Sequence, residues 1–396
     1  MKTLDKINFK NKKALVRVDF NVPVDDNFNV TDTTRIKAAK PTIDKILNDG
    51  GAVVLMSHRG RPKGKEDKFS LKYIVPAIEK ILGRKVAFVN DSIGDKVTKA
   101  VEKLQPGEVL LLENLRFYPE ETKGDENFAK ELSKNGDIYI NDAFGTAHRA
   151  HASTAIVAHY FDTNHKAVGQ LMEQEVKSIQ RALDYGEKPV TAIIGGAKIS
   201  SKIGVLENLL NKVDNLIIVG GMAYTFLKTL GNNIGDSIVE DDKLSVAKDI
   251  LEKAKQKGVN IILPVDFVIA DKFSNDAETK IVDADKIPNH WQGLDIGPKT
   301  QKLIDKIIEN SKTIIWNGPA GVFEFDKFAK GTENIGFAIG RATKNGAYSL
   351  VGGGDSVAAV KKLGLENQVS YISTGGGVLL DMLAGKKLPG LEALLK

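Results

Sequence analysis

The sequence predicts an α/β protein of two similar-sized halves, each a three-layer, Rossmann-like α/β/α arrangement around a mainly parallel sheet. Three observations predict it. Short apolar or β-branched runs alternate with amphipathic segments along all 396 residues, and buried strands alternating with helices imply a parallel sheet covered on both faces. At this length, and with 42% hydrophobic residues, the chain can bury two cores. The halves also carry different chemistry: seven of nine arginines and five of six histidines precede residue 166, whereas 26 of 37 glycines follow residue 170. That asymmetry implies that they take different ligands.

Taken in order, the first half holds "ALVRVDF" (14 to 20), "AVVLMSH" (52 to 58), "VLLLENL" (109 to 115) and "DIYINDA" (137 to 143), most of them ending in polar residues. Next comes "GQLMEQEVKSIQRALDYGEKP" (169 to 189). There Leu171, Met172, Val176, Ile179 and Leu183 recur at helical spacing, and Gly186 and Pro189 supply the stop. We read it as an interdomain helix and hinge, which sets an N-terminal domain over 1–170, a connecting helix over 171–188 and a C-terminal domain over 189–377. The second half holds "TAIIGG" (191 to 196), "LIIVGG" (216 to 221), "NIILPVDFVIA" (260 to 270), "TIIWNGP" (313 to 319), "YSLVGGG" (348 to 354) and "VSYISTGGG" (369 to 377), most of them ending in glycine. Amphipathic stretches such as "SSKIGVLENLLNKV" (200 to 213) lie between the strands.

Composition narrows the function. No apolar run approaches the roughly 18 residues of a membrane-spanning helix, and the charged opening "MKTLDKINFKNKK" lacks the apolar segment of a secretory signal. A cytoplasmic protein is expected, with no membrane partner. The absence of cysteine excludes disulfides, thiolate catalysis and cysteine-held metals. The 56 basic and 51 acidic residues interleave without forming blocks, which argues against a nucleic-acid partner.

In parallel sheets ligands gather beyond the carboxyl ends of the strands, and that is where this sequence places its unusual residues. A single Gly-Gly pair after a strand can merely allow a tight turn. Five such turns in one half favour a ligand held close to the backbone, with the opening amides of the next helix facing an anion. The turns match neither the P-loop spacing nor G-x-G-x-x-G with its downstream acid. Lys198 and Lys202 follow one of these turns, four residues apart at a predicted helix start, and are expected to stack on one face. Cations there oppose the helix dipole at a cost of about 0.3–1 kcal/mol each, which a bound polyphosphate would reverse. Asp355 in "VGGGDSV" is either an N-cap or, beside a nucleotide phosphate, a Mg²⁺ ligand. In the first half the strand tips carry Asp19 and Asn21, His58 and Arg61, Arg116, and His148, Arg149 and His151, with Arg35 after the first strand. Lone loop arginines are usually solvated; several on neighbouring tips share a crevice and can hold a carboxylate or phosphate bidentately.

The motifs "LVRVDFNVP", "SHRGRP", "LLENLRFYPEE", "DAFGTAHRAHAS", "IIGGAKISSKI", "NGPAGVFE", "GGGDS" and "STGGGV" stand in this order from one end of the chain to the other. The set resembles the phosphoglycerate kinase family over essentially the whole length. The resemblance implies two α/β domains facing a cleft, with an acidic three-carbon substrate on the first and Mg-nucleotide on the second, and a tail, 378–396, that folds back onto the first. It implies reversible transfer of the acyl phosphate of 1,3-bisphosphoglycerate to ADP, with 3-phosphoglycerate and ATP as products, Mg²⁺ as cofactor, and a monomeric enzyme. Matched motif by motif, Asp19, Asn21, Arg35, His58, Arg61, Arg116 and Arg149 would bind the triose. Lys198 and Lys202 would meet the phosphates, and Arg35 and Lys198 would flank the migrating group. Gly220, Gly221, Gly293, Asn317, Pro319 and Glu324 would surround the adenosine, and Gly353, Gly354, Asp355 and Ser356 would complete the phosphate and metal site, with Asp355 as metal ligand. Two positions depart from the family pattern: Arg59 stands where leucine is frequent, and is expected to point into water, and Ser356 stands where threonine is common but keeps the hydroxyl. A nicotinamide-dependent dehydrogenase shares the halves and glycine turns but needs the missing dinucleotide motif. A non-catalytic two-domain anion-binding protein has no use for Lys198, Lys202 and Asp355 on a second set of tips.

Overall fold

Six parallel strands organise the first half: β1 (Lys13–Arg17), β2 (Ala52–Met56), β3 (Val86–Phe88), β4 (Val109–Leu111), β5 (Ile138–Asn141) and β6 (Lys166–Val168). They line up in the order β3-β4-β2-β1-β5-β6. The second half is built on β7 (Val190–Ile194), β8 (Asn215–Ile218), β9 (Asn260–Ile262), β10 (Asp266–Ala270), β11 (Thr279–Asp283), β12 (Gln292–Ile296), β13 (Thr313–Asn317), β14 (Tyr348–Val351) and β15 (Tyr371–Ile372). Here six strands form a parallel sheet ordered β15-β14-β13-β7-β8-β9, and β11-β10-β12 form a separate antiparallel one. The computed structural model describes residues 1–396, which divide into two compact units, Met1–Val176 with Lys387–Lys396, and Lys177–Lys386.

Most strands of the two large sheets are buried along their length. β2, β7 and β13 are buried at every residue, as expected where helices cover both faces. Val16, Leu55 and Ile140 enter one core with Ile36, Ile43 and Ile46 of the helix Thr34–Asn48. Ile193, Ile217 and Trp316 enter the other with Ile304 and Ile308 of the helix Pro298–Glu309. Both large sheets reverse their order once, between β1 and β5 in the first and between β7 and β13 in the second. Flanking helices diverge at such a reversal and leave a crevice beyond the strand ends.

Three features differ from the sequence reading. β3, β6, β11 and β12 are absent from the strand runs read in the sequence; β3 and β6, at three residues each, carry no periodic signal and are decided by pairing with β4 and β5, and β11 and β12 by pairing with β10. The run 260–270, read as one strand, is two. Pro264 lacks the N–H that a ladder needs, so β9 ends beside β8 and β10 starts a small antiparallel sheet. The third difference is at the carboxyl end. Residues 378–386 stay with the second unit, because the helix Gly377–Leu383 packs on the helix Ile203–Leu209 and Asn208 Nδ2 donates to Leu383 O at 2.8 Å. Only Lys387–Lys396 joins the first unit, and the division falls inside the helix Gln170–Leu183. No helix is long and apolar enough to cross a membrane.

The final helix, Pro389–Leu395, lies against β6, where Leu388 and Leu394 are buried and Gly390 N–H donates to Ala147 O at 2.9 Å. Deleting Lys387–Lys396 should destabilise the first unit by about 3 kcal/mol or more, counting those two leucines alone. Urea unfolding followed in that unit checks this, and an unchanged midpoint would refute it.

Candidate active site

The loop after β1 carries Asp19 and Asn21 to the order reversal of the first sheet. Arg35, in the first turn of the helix Thr34–Asn48, places Nη1 2.9 Å from both carboxylate oxygens of Asp19. The acid is 15% exposed and the arginine 47%, so Asp19 aims a guanidinium that remains open to a further anion. Asn21 Oδ1 accepts from Gly60 N–H at 2.9 Å and ties the 58–61 loop to the tip of β1. Arg116, on the 3₁₀ turn Leu115–Phe117, donates from Nη1 to Gly60 O at 2.9 Å. Its buried Nε has no partner. Arg61, Arg116 and Arg149 line one cavity of about 490 Å³ together with His151. Asp19, Asn21, Arg35 and His58 lie outside its wall.

Burial and mutual repulsion dominate the electrostatics here. Arg116 is pushed down to about 10, first by burial and then by Arg17, Arg149 and Arg61. His58 is held well below the usual histidine range by burial and by Arg17, Arg116 and Arg35, and His151 is pushed down to about 4 by burial and the same kind of neighbours. Both imidazoles are therefore neutral at pH 7. Arg17, inside the apolar run "LVRVDF", is fully buried, and sequence reading passed over it as part of a strand. Its Nη2 stands 3.1 Å from His58 Nδ1 and its Nε donates to Ser153 Oγ at 2.8 Å. Burial lowers Arg17 and raises Glu121, and their opposite charges work against both shifts. Arg59, expected in water, is 6% exposed: its Nη1 donates to Lys68 O at 2.7 Å, so the backbone carbonyl takes up a side chain that its charge alone would send outward.

In the second unit the tips of β7 and β13 touch backbone to backbone. A Cβ on Gly195 would sit 2.1 Å from Pro319 O, and one on Gly220, whose φ is +74°, would sit 2.6 Å from Gly196 N. One on Gly293 would strike the Tyr224 hydroxyl at 2.1 Å. Gly195 and Gly220 are required by packing between strand tips and Gly293 by the Tyr224 ring, a stronger demand than the ligand approach inferred from sequence. Gly354 is different: a Cβ there meets nothing.

The two lysines do not stack. A 3₁₀ turn, Ile199–Ser201, separates them, and Lys202 precedes the α-helix Ile203–Leu209. With three residues per turn instead of 3.6, the i,i+4 relation is lost. Lys198 is exposed. Lys202 is 9% exposed, and its Nζ donates to Gly195 O and to Asn317 Oδ1, each at 2.6 Å. Burial pushes it down to about 8, with Asp355 pulling the other way. Asn317 Nδ2 donates to Gly352 O at 2.9 Å, and the buried Ser356 Oγ accepts from Gly318 N–H at 2.7 Å. Lys202, Asn317 and Ser356 thus lace the tips together, and Gly353, with φ +94°, packs its α-carbon side toward Asn317 Nδ2.

Beside this lacing opens a cavity of about 560 Å³ lined by Gly220, Gly221, Gly293, Pro319, Glu324 and Asp355. Its other walls were not foreseen: Tyr224, Ile238, Phe273 and Leu294. Nothing local marks them, since Ile238 and Phe273 come from loops and are exposed, at 44% and 60%. No three histidine or acidic side chains gather as a metal cluster. Asp355, in the first turn of the helix Gly354–Lys362, is an exposed carboxylate on the cavity wall with no hydrogen bond from the protein. An open carboxylate at a helix start beside the glycine turns fits Mg²⁺, which takes most of its ligands from water and phosphate.

The phosphoglycerate kinase family model matches residues 4–386. This chain belongs to the phosphoglycerate kinase family. Members similar to it include a phosphoglycerate kinase of Porphyromonas gingivalis, 54% identical over 99% of both chains, and a cytosolic one of Arabidopsis thaliana, 54% identical over 99% of this chain and 97% of that one. Among solved structures, phosphoglycerate kinase from Coxiella burnetii superposes with a TM-score of 0.92 at 40% identity, covering 100% of this chain and 98% of that one. The Pyrococcus horikoshii enzyme does so at 0.79 and 32%, with the same coverage.

The depressed histidines set a sign. Because the unfolded chain binds protons to these rings near pH 6.5 and the folded chain does not, stability is lost as pH falls from about 6.5 towards 4. His151→Gln should remove about 1–2 kcal/mol of the stability difference between pH 7 and pH 5. Urea titrations at the two pH values check it; an identical difference in both proteins would refute it.

Proposed function

We infer that this chain catalyses the reaction of its family, reversible transfer of the acyl phosphate of 1,3-bisphosphoglycerate to ADP. The observation that supports it is a pair of chemically unlike cavities, each lined by segments that follow the carboxyl ends of a parallel sheet's strands. One is walled by arginines, the other by glycine backbone and apolar side chains with Asp355 beside the glycine turns. A phosphorylated three-carbon acid suits the first and a purine nucleotide the second. A coupled assay of ATP formation, with and without Mg²⁺, tests it; no ATP from 1,3-bisphosphoglycerate and ADP would overturn it.

Transfer asks for little covalent chemistry, so positioning and charge compensation carry the rate. We assign Arg61, Arg116 and Arg149 to the triose phosphate, and Asn21 and His58 to holding the remaining polar groups of the triose. Asp19 aims Arg35, whose open fork meets the group in flight. Lys198, exposed at the tip of β7, compensates the same charge from the nucleotide side. Lys202 keeps the glycine tips at the spacing that lets backbone amides face the phosphates, while Gly354 leaves an open approach. Gly220, Gly221, Gly293, Pro319 and Glu324 enclose the nucleoside. Mg²⁺, held by Asp355 and phosphate oxygens, would neutralise the nucleotide's charge. The ligands must come into line and shed water before the acyl phosphate can move without hydrolysis, and we assign that motion to the helix Gln170–Leu183. We further assign the protein to the cytoplasm, as a monomer.

Arg35→Lys keeps the charge and loses the fork, and should lower turnover by about 10²-fold, equivalent to roughly 2.7 kcal/mol. Near-normal turnover removes Arg35 from the reaction. Asp355→Asn should weaken Mg-ADP binding about tenfold or more while leaving 3-phosphoglycerate binding intact; calorimetry with equal Mg-ADP affinities would take Asp355 out of the metal site.

A further inference from the structure

We propose that Glu121 is a positioning residue for this reaction, acting through Ser153 and Arg17 on His58; the proposal rests on the assignment of His58 to the triose site. Glu121 is completely buried, and so are Ser153 and Arg17. Its Oε1 accepts from Ser153 Oγ–H at 2.5 Å and its Oε2 from Ser153 N–H at 3.2 Å. With its proton directed at the carboxylate, the Ser153 hydroxyl turns a lone pair to Arg17 Nε–H at 2.8 Å. Arg17 has no acceptor of its own. Its Nη2–H therefore donates to His58 Nδ1 at 3.1 Å, and the ring carries its proton on Nε2.

The direction of every bond in this chain is fixed by chemistry. An imidazolium would set N–H against N–H at Arg17, so His58 is confined to one neutral tautomer. It then offers a neutral N–H donor beside Arg116 and Arg35, where a further cation would be repelled. The guanidinium that enforces this lies inside a sheet core, where an uncompensated charge is strongly unfavourable. Glu121 supplies the compensation and, through the serine, the orientation. The 3₁₀ and helical turn around "YPEE" and the loop around "HAST" are thereby coupled to the tip of β2.

The test uses the full chain, labelled with ¹⁵N-histidine, and steady-state kinetics toward 3-phosphoglycerate and ATP. Glu121→Gln replaces two acceptors by one acceptor and one donor, so Ser153 can no longer be satisfied in its present direction. Wild-type His58 should show its proton on Nε2, and Glu121→Gln a mixture of tautomers. KM for 3-phosphoglycerate should rise about tenfold while KM for ATP changes less than twofold. Ser153→Ala breaks the same chain without removing the carboxylate and should give the same split; it decides the matter if Glu121→Gln fails to fold. A purely structural role would move stability, or both KM values, without touching the tautomer. Wild-type tautomer and wild-type KM in these variants, in a protein that transfers phosphate normally, overturn the relay and leave the functional reading standing. A wild-type chain without transfer removes that reading, and the relay's role with it.

Discussion

The structure depends on what happens where a parallel sheet reverses its strand order. At β1 and β5, and again at β7 and β13, neighbouring strands send their chains to opposite faces of the sheet. The covering helices part, and the strand ends stay uncovered between them. Backbone amides and short loops collect there, and a charged ligand can reach them without disturbing the buried sheet. Asp19 and Asn21 occupy such a place in the first unit and Gly195 and Pro319 in the second, and the two units line the neighbouring cavities with opposite materials: arginine side chains in one, glycine backbone in the other.

That contrast has an energetic side. The first unit keeps a guanidinium in its core and surrounds its strand tips with further cations. The arrangement persists because Glu121 and Ser153 compensate Arg17 from inside, because Asp19 pairs with Arg35, and because the histidines remain uncharged. An arriving polyanion relieves the remaining repulsion. In the second unit the buried cation, Lys202, binds carbonyl and amide oxygens instead of a carboxylate, so it holds the strand tips together and keeps its charge near the phosphate side of the cavity. The two units thus solve the same problem, a positive group in a low-dielectric place, by a carboxylate acting through a serine hydroxyl in one and by dipoles alone in the other.

Much of this was legible before any coordinates. The central strands β1, β2, β7 and β13 announce themselves as apolar runs, and the arginine-rich and glycine-rich halves correspond to the two kinds of cavity. Other features were hidden. Strands of three residues such as β3 and β6 have no period to detect. The break at Pro264 was visible as a residue but its consequence, a separate antiparallel sheet, needed β11 and β12 as partners. Arg17 and Arg59 look alike in sequence, one basic residue in or after an apolar run, and only their neighbours show that both are buried.

The sequence by itself determined the fold class, the division of chemistry between two halves and the family, because these rest on local periodicity and on motifs whose residues are close together in the chain. Tertiary structure alone decided which side of each motif faces the cavity. Lys198 and Lys202 are four residues apart and end in different environments. Gly195 is demanded by the tip of β13, more than 100 residues away, and Gly220 by the backbone of Gly196. Ser356 turns its hydroxyl inward to Gly318, and Phe273 and Ile238 become cavity walls. Each of those outcomes is set by contacts between segments remote in sequence, and short-range patterns carry no record of them.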